Sequence, residues 1–385
     1  MSSVPEITPA ELYRRIEAGE PVAIVDVRQP HEYEKWRIEG QTVETVNVPD
    51  RKLSRTDPAD VIEGLPTENV VTVCGTGKIS RSSARHLRRG DVDAENLAGG
   101  MEAWADLSVH TELDTDADAT VLQFRRPSSG CLSYLVISDD EAAVVDPLLA
   151  FAGEYVDAAR ERGAALTAAV DTHVHADHVS GVRALAERTD ATAVVPDAAT
   201  DRGIEYDQPY ETIADGETLT VGDSTIEAIH TPGHTSGMTA YYVDDAVLLT
   251  GDGLFVESVA RPDLEAGAEA APEAAAQLHD SLQNRVLSLP PATLIAPGHY
   301  SDAAAPAADG SYTATLATLV DGMDALSLPS DEFVETVLAD MPPRPANHSQ
   351  LIATNLGRRD LPRQRALGLE RGPNNCAATA DAMTD

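Results

Sequence analysis

Four short stretches rich in histidine and aspartate restrict the folds open to this chain more than anything else in it. THVHADH, Thr172 to His178, follows the apolar run Ala168 to Val170; His234 lies in HTPGHTSG behind STIEAIH, Asp252 in TGDG behind VLLT, and His299 in APGHY behind TLIA. Each stretch leaves the end of a strand-like run, and the last three carry glycine, which suits a backbone crowded around an ion. His173 and His175 project to one side of an extended backbone, with Asp177 and His178 one turn further on. Imidazole and carboxylate are borderline-to-hard ligands that suit zinc or ferrous iron. Any one of these histidines alone reads as a surface or core residue with its hydrogen bonds satisfied, whereas the set reads as a metal site. His110, His230, His279 and His348 lack this context and read as structural.

A chain of 385 residues exceeds the size at which single cores usually stop growing, so two or more domains are expected. From about Ile7 to Leu107, short apolar runs alternate with helical patterns, which predicts a small α/β domain with a parallel sheet; Val22 to Val27 and Val70 to Val73 read as buried strands. SVHTELDTDAD, Ser108 to Asp118, is polar without a clear apolar period and reads as a linker. β-rich runs interleaved with helical ones follow; in VSGVRALAER, Val182, Leu185 and Ala186 have the spacing of one helix face. Beyond His299 the pattern turns loop-rich and helical, and MPPRPAN must be irregular because its prolines lack the amide a ladder or helix needs. The expected division is therefore residues 1–107, a linker over 108–118, a metal domain over 119–300, and a helical and irregular extension over 301–385 packed on the metal domain.

The formal net charge of −36 argues against nucleic acid and anionic membrane surfaces as partners, since both would be repelled over most of the surface. Lysine is confined to Lys35, Lys52 and Lys78, and the acidic residues run the length of the chain. Such a coat resembles the proteins of salt-loving microbes, where concentrated salt mutes self-repulsion. Three cysteines, Cys74, Cys131 and Cys376, far apart and odd in number, argue against a disulfide framework and for a reducing cytoplasm. The N-terminal MSSVPEITPAELYRRIEAGE has no apolar stretch behind basic residues, and no run of about 18 apolar residues occurs, so a soluble, unexported protein is expected.

In order and spacing, the histidine-aspartate motifs resemble those of the metallo-β-lactamase superfamily over roughly Ala119 to Tyr300. The resemblance implies an αββα sandwich with metal at the strand ends between two sheets. In members with two zinc ions, His173, His175 and His234 would hold one, Asp177, His178 and His299 the other, and Asp252 would bridge. GLFVESVARPDLE after Asp252 resembles the segment of persulfide dioxygenases with Arg-x-Asp, here Arg261 and Asp263; the arginine, paired phenylalanines and Glu-Gly usual in glyoxalase II enzymes are missing. That resemblance implies one Fe(II) held by His173, His234 and Asp252, with the other motif residues around them. Two histidines and one carboxylate leave positions open for dioxygen and a persulfide sulfur. Arg261 and Tyr300 are the candidate substrate-binding residues. Arg261 could grip a thiol's carboxylate through two parallel hydrogen bonds, or equally form a salt bridge with Asp263 or another acid.

VVTVCGTGKISRSSARHL reads as strand, glycine-rich loop and helix with Cys74 at the turn, where loop amides and the helix N-terminus favour a thiolate or persulfide anion. With LAGGMEAWADL and the run Ile24 to Arg28, the segment from about Ile7 to Leu107 resembles rhodanese sulfurtransferase domains. The resemblance implies that Cys74 carries a sulfane sulfur. Arginines usual one and five residues after the cysteine are replaced by Gly75 and Ile79, leaving Lys78 and Arg81 to supply charge. Cys131 and Cys376 read as structural or incidental.

A rhodanese domain makes or consumes persulfides, the substrate class of the iron dioxygenases, so fusion joins two steps of one chemistry. The reading is a non-haem iron enzyme oxidising a low-molecular-weight thiol persulfide with dioxygen to sulfite and thiol, coupled to sulfur transfer at Cys74. The alternatives are a dinuclear zinc thioester hydrolase with a regulatory rhodanese domain, and a non-catalytic persulfide carrier or sensor. The partners are small molecules, and a homo-oligomer is compatible with the sequence.

Overall fold

The computed structural model describes residues 4–66, 69–301, 303–339, 341–371, 376–379 and 383. The chain divides into two compact units: Met1–Val109 with Arg126–Ser129 and Arg371–Pro373, and His110–Arg125 with Gly130–Glu370 and Asn374–Asp385.

In the first unit, five strands form a sheet in the order Glu6–Ile7, Ala94–Leu97, Val70–Val73, Val22–Asp26, Val43–Asn47. All of these pairings are parallel. Val22–Asp26 and Val70–Val73 are buried at every residue, as strands covered on both faces must be. Alternate side chains feed two cores: Val22, Ile24, Val71 and Val73 join Leu12 and Trp104, while Ala23, Val25 and Val70 join Ala84 and Leu87. The first helix, Pro9–Glu17, starts where Thr8 accepts from the Glu11 amide and proline takes the first turn.

The second unit stacks two sheets. Seven strands run in the order Glu211–Ile213, Thr192–Pro196, Ala165–Val170, Glu141–Val145, Cys131–Ser138, Thr120–Arg126, Val109–Glu112. Six more run Thr218–Val221, Ser224–His230, Thr239–Val243, Val247–Gly251, Leu294–Pro297, Ala314–Thr315. Tyr134, Val145 and Val170 of one sheet meet Ala228, Tyr241 and Leu249 of the other in a shared core. The outer face of the first sheet packs Leu135 and Val144 on Phe151, Tyr155 and Leu185; that of the second packs Tyr242, Leu248 and Ile295 on Leu278, Leu316 and Phe333. The layering is helix, sheet, sheet, helix, the αββα sandwich that the family resemblance implies. Among the described residues no helix is long and apolar enough to cross a membrane.

Two segments differ from expectation. Val109–Glu112, inside the presumed linker, is the edge strand of the larger sheet, and the ladder continues where Leu113 N donates to Val121 O (2.9 Å). Its alternation of half-buried and exposed residues is that of an edge strand with one packed face, which so polar a tetrapeptide disguises. Ala314–Thr315, in the extension expected to be helical and irregular, adds a short strand beside Leu294–Pro297. Helices Leu316–Gly322, Ser330–Ala339, His348–Asn355 and Arg363–Leu369 fill much of the rest.

Candidate functional site

The loop after Ala165–Val170 is shaped by a residue sequence reasoning passed over. Asp146 follows the strand Glu141–Val145 with φ of 52°, a conformation rare outside glycine that the surrounding bonds hold. Its carboxylate accepts the Thr172 amide (2.7 Å), the Thr172 hydroxyl (2.9 Å) and His175 Nε2 (3.1 Å). Since Thr172 donates its single hydroxyl proton to Asp146, its oxygen must accept from His173 Nδ1, 2.8 Å away. His173 therefore presents Nε2 as a lone pair. His234 reaches the same state by another route, Nδ1 donating to the Arg261 carbonyl at 2.9 Å.

These two lone pairs face Asp252 Oδ2, at 3.7 Å from His173 Nε2 and 3.6 Å from His234 Nε2. Those separations exceed hydrogen-bond length, none of the three atoms has a hydrogen-bond partner, and each residue is 1 % exposed. Three buried acceptors with no donor among them repel one another and lack solvation, unless a cation lies between. Zinc or iron at roughly 2.1 Å from each ligand atom sets ligand atoms roughly 3–3.5 Å apart. The residues thus fit a divalent metal. Burial, reinforced for His173 by neighbouring His175, holds both imidazoles below their ordinary pKa, so that neither needs to shed a proton to bind.

Asp252 is positioned from behind. Its Oδ1 accepts His299 Nδ1 at 2.6 Å, and His299 Nε2 donates to Asp177 Oδ2 at 3.0 Å. Burial opposes charge on both carboxyls, but the neighbouring histidines prevail and hold both well below the usual carboxylate range. Gly298 leaves the room, since a Cβ there would lie 2.6 Å from Asp252 Oδ1.

All seven predicted residues are buried in one region, but in separate sets. His173, His234 and Asp252 have ligating atoms within 4.8 Å of one another; Asp177, Asp252 and His299 form a second such set, and it includes Cys376. His178 belongs with Asp177 and Cys131; burial opposes its charge, yet Asp177, 2.8 Å from its Nδ1, brings its pKa up to about 9. His175 belongs with Asp146 and Asp171. Cys131 and Cys376, read as structural or incidental, are both buried beside these sets. Cys131 Sγ is 3.3 Å from Asp177 Oδ2, and Cys376 reaches the centre through a long-range backbone pairing that local sequence does not reveal. His110, His230, His279 and His348 stay outside these sets.

Arg261 forms the salt bridge with Asp263. Its guanidinium, 1 % exposed, grips Asp263 through Nε (2.8 Å) and Nη2 (3.2 Å) and donates to Pro343 O (3.1 Å). A buried cation must be paired within the protein, and Asp263 is that partner. Tyr300 stacks on Tyr312 with ring centroids 3.7 Å apart, against the inter-sheet core. Neither lines the cleft of about 160 Å³ at His234, whose walls include Thr235, Ser236, Pro262 and Glu265.

In the first unit, Cys74 ends the strand Val70–Val73, and helix Ser80–Arg89 starts beside its sulfur. Sγ accepts from the Ser80 amide (3.4 Å); the single proton of the Ser80 hydroxyl goes to Asn96 Oδ1 (2.7 Å), with Sγ 3.2 Å from Ser80 Oγ. Gly100, with φ of 62°, lets two loops touch: a Cβ there would fall 2.2 Å from the Cys74 carbonyl oxygen. Arg81, expected to lend charge, is paired with Glu6, while Lys78 is exposed.

Comparison with known proteins agrees with this layout. The metallo-β-lactamase superfamily model matches residues 127–299, and the rhodanese-like domain model matches residues 8–107. The mitochondrial persulfide dioxygenase ETHE1 of Bos taurus is 30 % identical over 196 residues, 50 % of this chain and 72 % of that protein. The probable metallo-hydrolase YqgX of Bacillus subtilis (strain 168) is 31 % identical over 189 residues, 43 % of this chain and 83 % of that protein. The crystal structure of ETHE1 from Myxococcus xanthus superposes with a TM-score of 0.51 at 27 % identity, covering 62 % of this chain and 98 % of that one.

Proposed function

Because the chain belongs to the metallo-β-lactamase superfamily and carries a rhodanese-like domain ahead of its metal domain, we propose that it is a non-haem iron persulfide dioxygenase with a sulfurtransferase function at Cys74. The observation that carries the reading is the set of three partnerless buried atoms, His173 Nε2, His234 Nε2 and Asp252 Oδ2. Two imidazoles and one carboxylate are the donor set of the ferrous oxygenases. A ferrous ion bound there would supply electrons to dioxygen and a binding position for a persulfide sulfur.

The chain's own residues prepare that site. The Asp146–Thr172 pair and the Arg261 carbonyl fix which nitrogen of each histidine faces inward, and His299 holds Asp252 by its other oxygen. His175 turns Nε2 to Asp146, while its Nδ1 is buried without a hydrogen-bond partner. In the first unit the Ser80 amide, which donates to the Cys74 sulfur, would stabilise an anionic sulfur there.

The experiment is oxygen uptake by iron-loaded protein given glutathione persulfide, with sulfite measured as product. Uptake in the wild type, lost together with iron in His234→Ala, is the expected result. Hydrolysis of S-acyl thiols without oxygen uptake would instead identify a thioester hydrolase. Cys74→Ser should keep oxygen uptake and lose transfer of sulfane sulfur to cyanide.

A further inference from the structure

Three buried hydroxyls from separate segments of the second unit line one small cavity. Thr231 follows the strand Ser224–His230 and leads into the turn that carries His234; Thr250 lies in the strand Val247–Gly251, just ahead of Asp252; Ser281 closes the helix Ala271–Ser281. The cavity measures about 10 Å³, and its other walls include Leu254, Leu278 and Leu282. Beyond Ser281 the helix widens into a π-turn over Leu282–Val286, where the Leu287 amide donates to the Leu282 carbonyl (2.8 Å), and Val286 is a further wall. None of the three hydroxyl residues is more than 4 % exposed.

A hydroxyl has one proton to give and lone pairs with which to receive. Thr250 gives its proton to Leu254 O (2.7 Å) and Ser281 gives its own to Pro232 O (2.7 Å), so each has only lone pairs left to offer. Thr231 Oγ1 has no hydrogen-bond partner, and its proton is uncommitted. A buried hydroxyl in that state is destabilising unless something in the cavity meets it. The walls thus hold one donor and two acceptors, the complement of a molecule that accepts once and donates twice.

We propose that this cavity is the binding site of a single ordered water, which accepts from Thr231 and donates to Thr250 and Ser281. Its volume is about that which one water needs, and three hydrogen bonds are the usual number for a buried water. An apolar occupant such as xenon suits a cavity without polar groups, whereas here it would leave the Thr231 proton unmet. The water joins the approach to His234 and the approach to Asp252 to a helix that already packs on the His234 turn, since a Cβ on Gly233 would lie 2.4 Å from Leu278 Cα. The site does not depend on which reaction the metal performs, and a failed oxygen-uptake assay leaves it standing.

The test is a crystal structure of the full chain, with oxygen-17 relaxation dispersion to count long-lived waters in solution. Wild type should hold one water about 2.7–3.0 Å from Thr231 Oγ1, Thr250 Oγ1 and Ser281 Oγ. Thr231→Val, which keeps the shape, should lose that water in the crystal and show one long-lived water fewer in solution. In chemical melts, the losses in Thr231→Val and Ser281→Ala should add to more than the loss in the double variant, because both remove partners of the same molecule. No water at this place in the wild-type crystal, xenon entering it under pressure, a water kept in Thr231→Val, or losses that simply add would each overturn the proposal. The wild-type crystal decides the matter even where a variant does not fold.

Discussion

Thr172 donates to Asp146 and accepts from His173, so one hydroxyl decides which imidazole nitrogen faces the metal position. Thr172→Val keeps the shape and removes both bonds; iron affinity, measured by chelator competition, should fall by about 10–100-fold. Unchanged affinity would mean that the relay does not set the tautomer. The same residues predict a pH dependence. Burial lowers the pKa of His173 and His234 from 6.5, so both stay neutral above that pH, and iron retention by this triad should be flat from about pH 8 to 6.5 and decline only below. Loss of iron beginning above pH 6.5 would contradict the buried, unprotonated state. His173, His234 and Asp252 were legible because each stands at the end of an apolar run. Asp146 was legible only in part: EAAVVD shows a charge closing a buried strand, but its partner Thr172 lies 26 residues away. Cys376 was illegible, since it reaches the centre through a backbone pairing with Val259 to Arg261 that no local pattern encodes.

At the scale of elements, the centre depends on strands ending at the right places. Val247–Gly251 and Leu294–Pro297 run parallel and stop side by side, which delivers Asp252 and His299 to each other. Gly298 lies between them, and Gly298→Ala should cost about 1–3 kcal/mol in chemical melts and weaken metal binding, because the new methyl collides with the Asp252 carboxylate. A melt and a metal affinity matching wild type would show that the strand ends can spread without consequence. Buried strands such as Val22–Asp26 and Val70–Val73 were readable because burial on both faces demands unbroken apolar runs. Val109–Glu112 was not, because an edge strand can be half polar and still pair.

Over the whole molecule, a net charge of −36 implies strong self-repulsion, weakened as the screening length falls from about 10 Å at 0.1 M salt to about 3 Å at 1 M. The melting temperature should therefore rise steadily with potassium chloride up to molar concentrations; a flat or falling response would argue against adaptation to salt. The metal position adds a separate dependence. With no ion, His173, His234 and Asp252 hold lone pairs against one another at the junction of both sheets, so an ion that binds only the folded state draws the folding equilibrium toward it. Supply of a trace element would then govern how long each molecule survives as well as how fast it turns over, and scarcity would thin the population before slowing the chemistry.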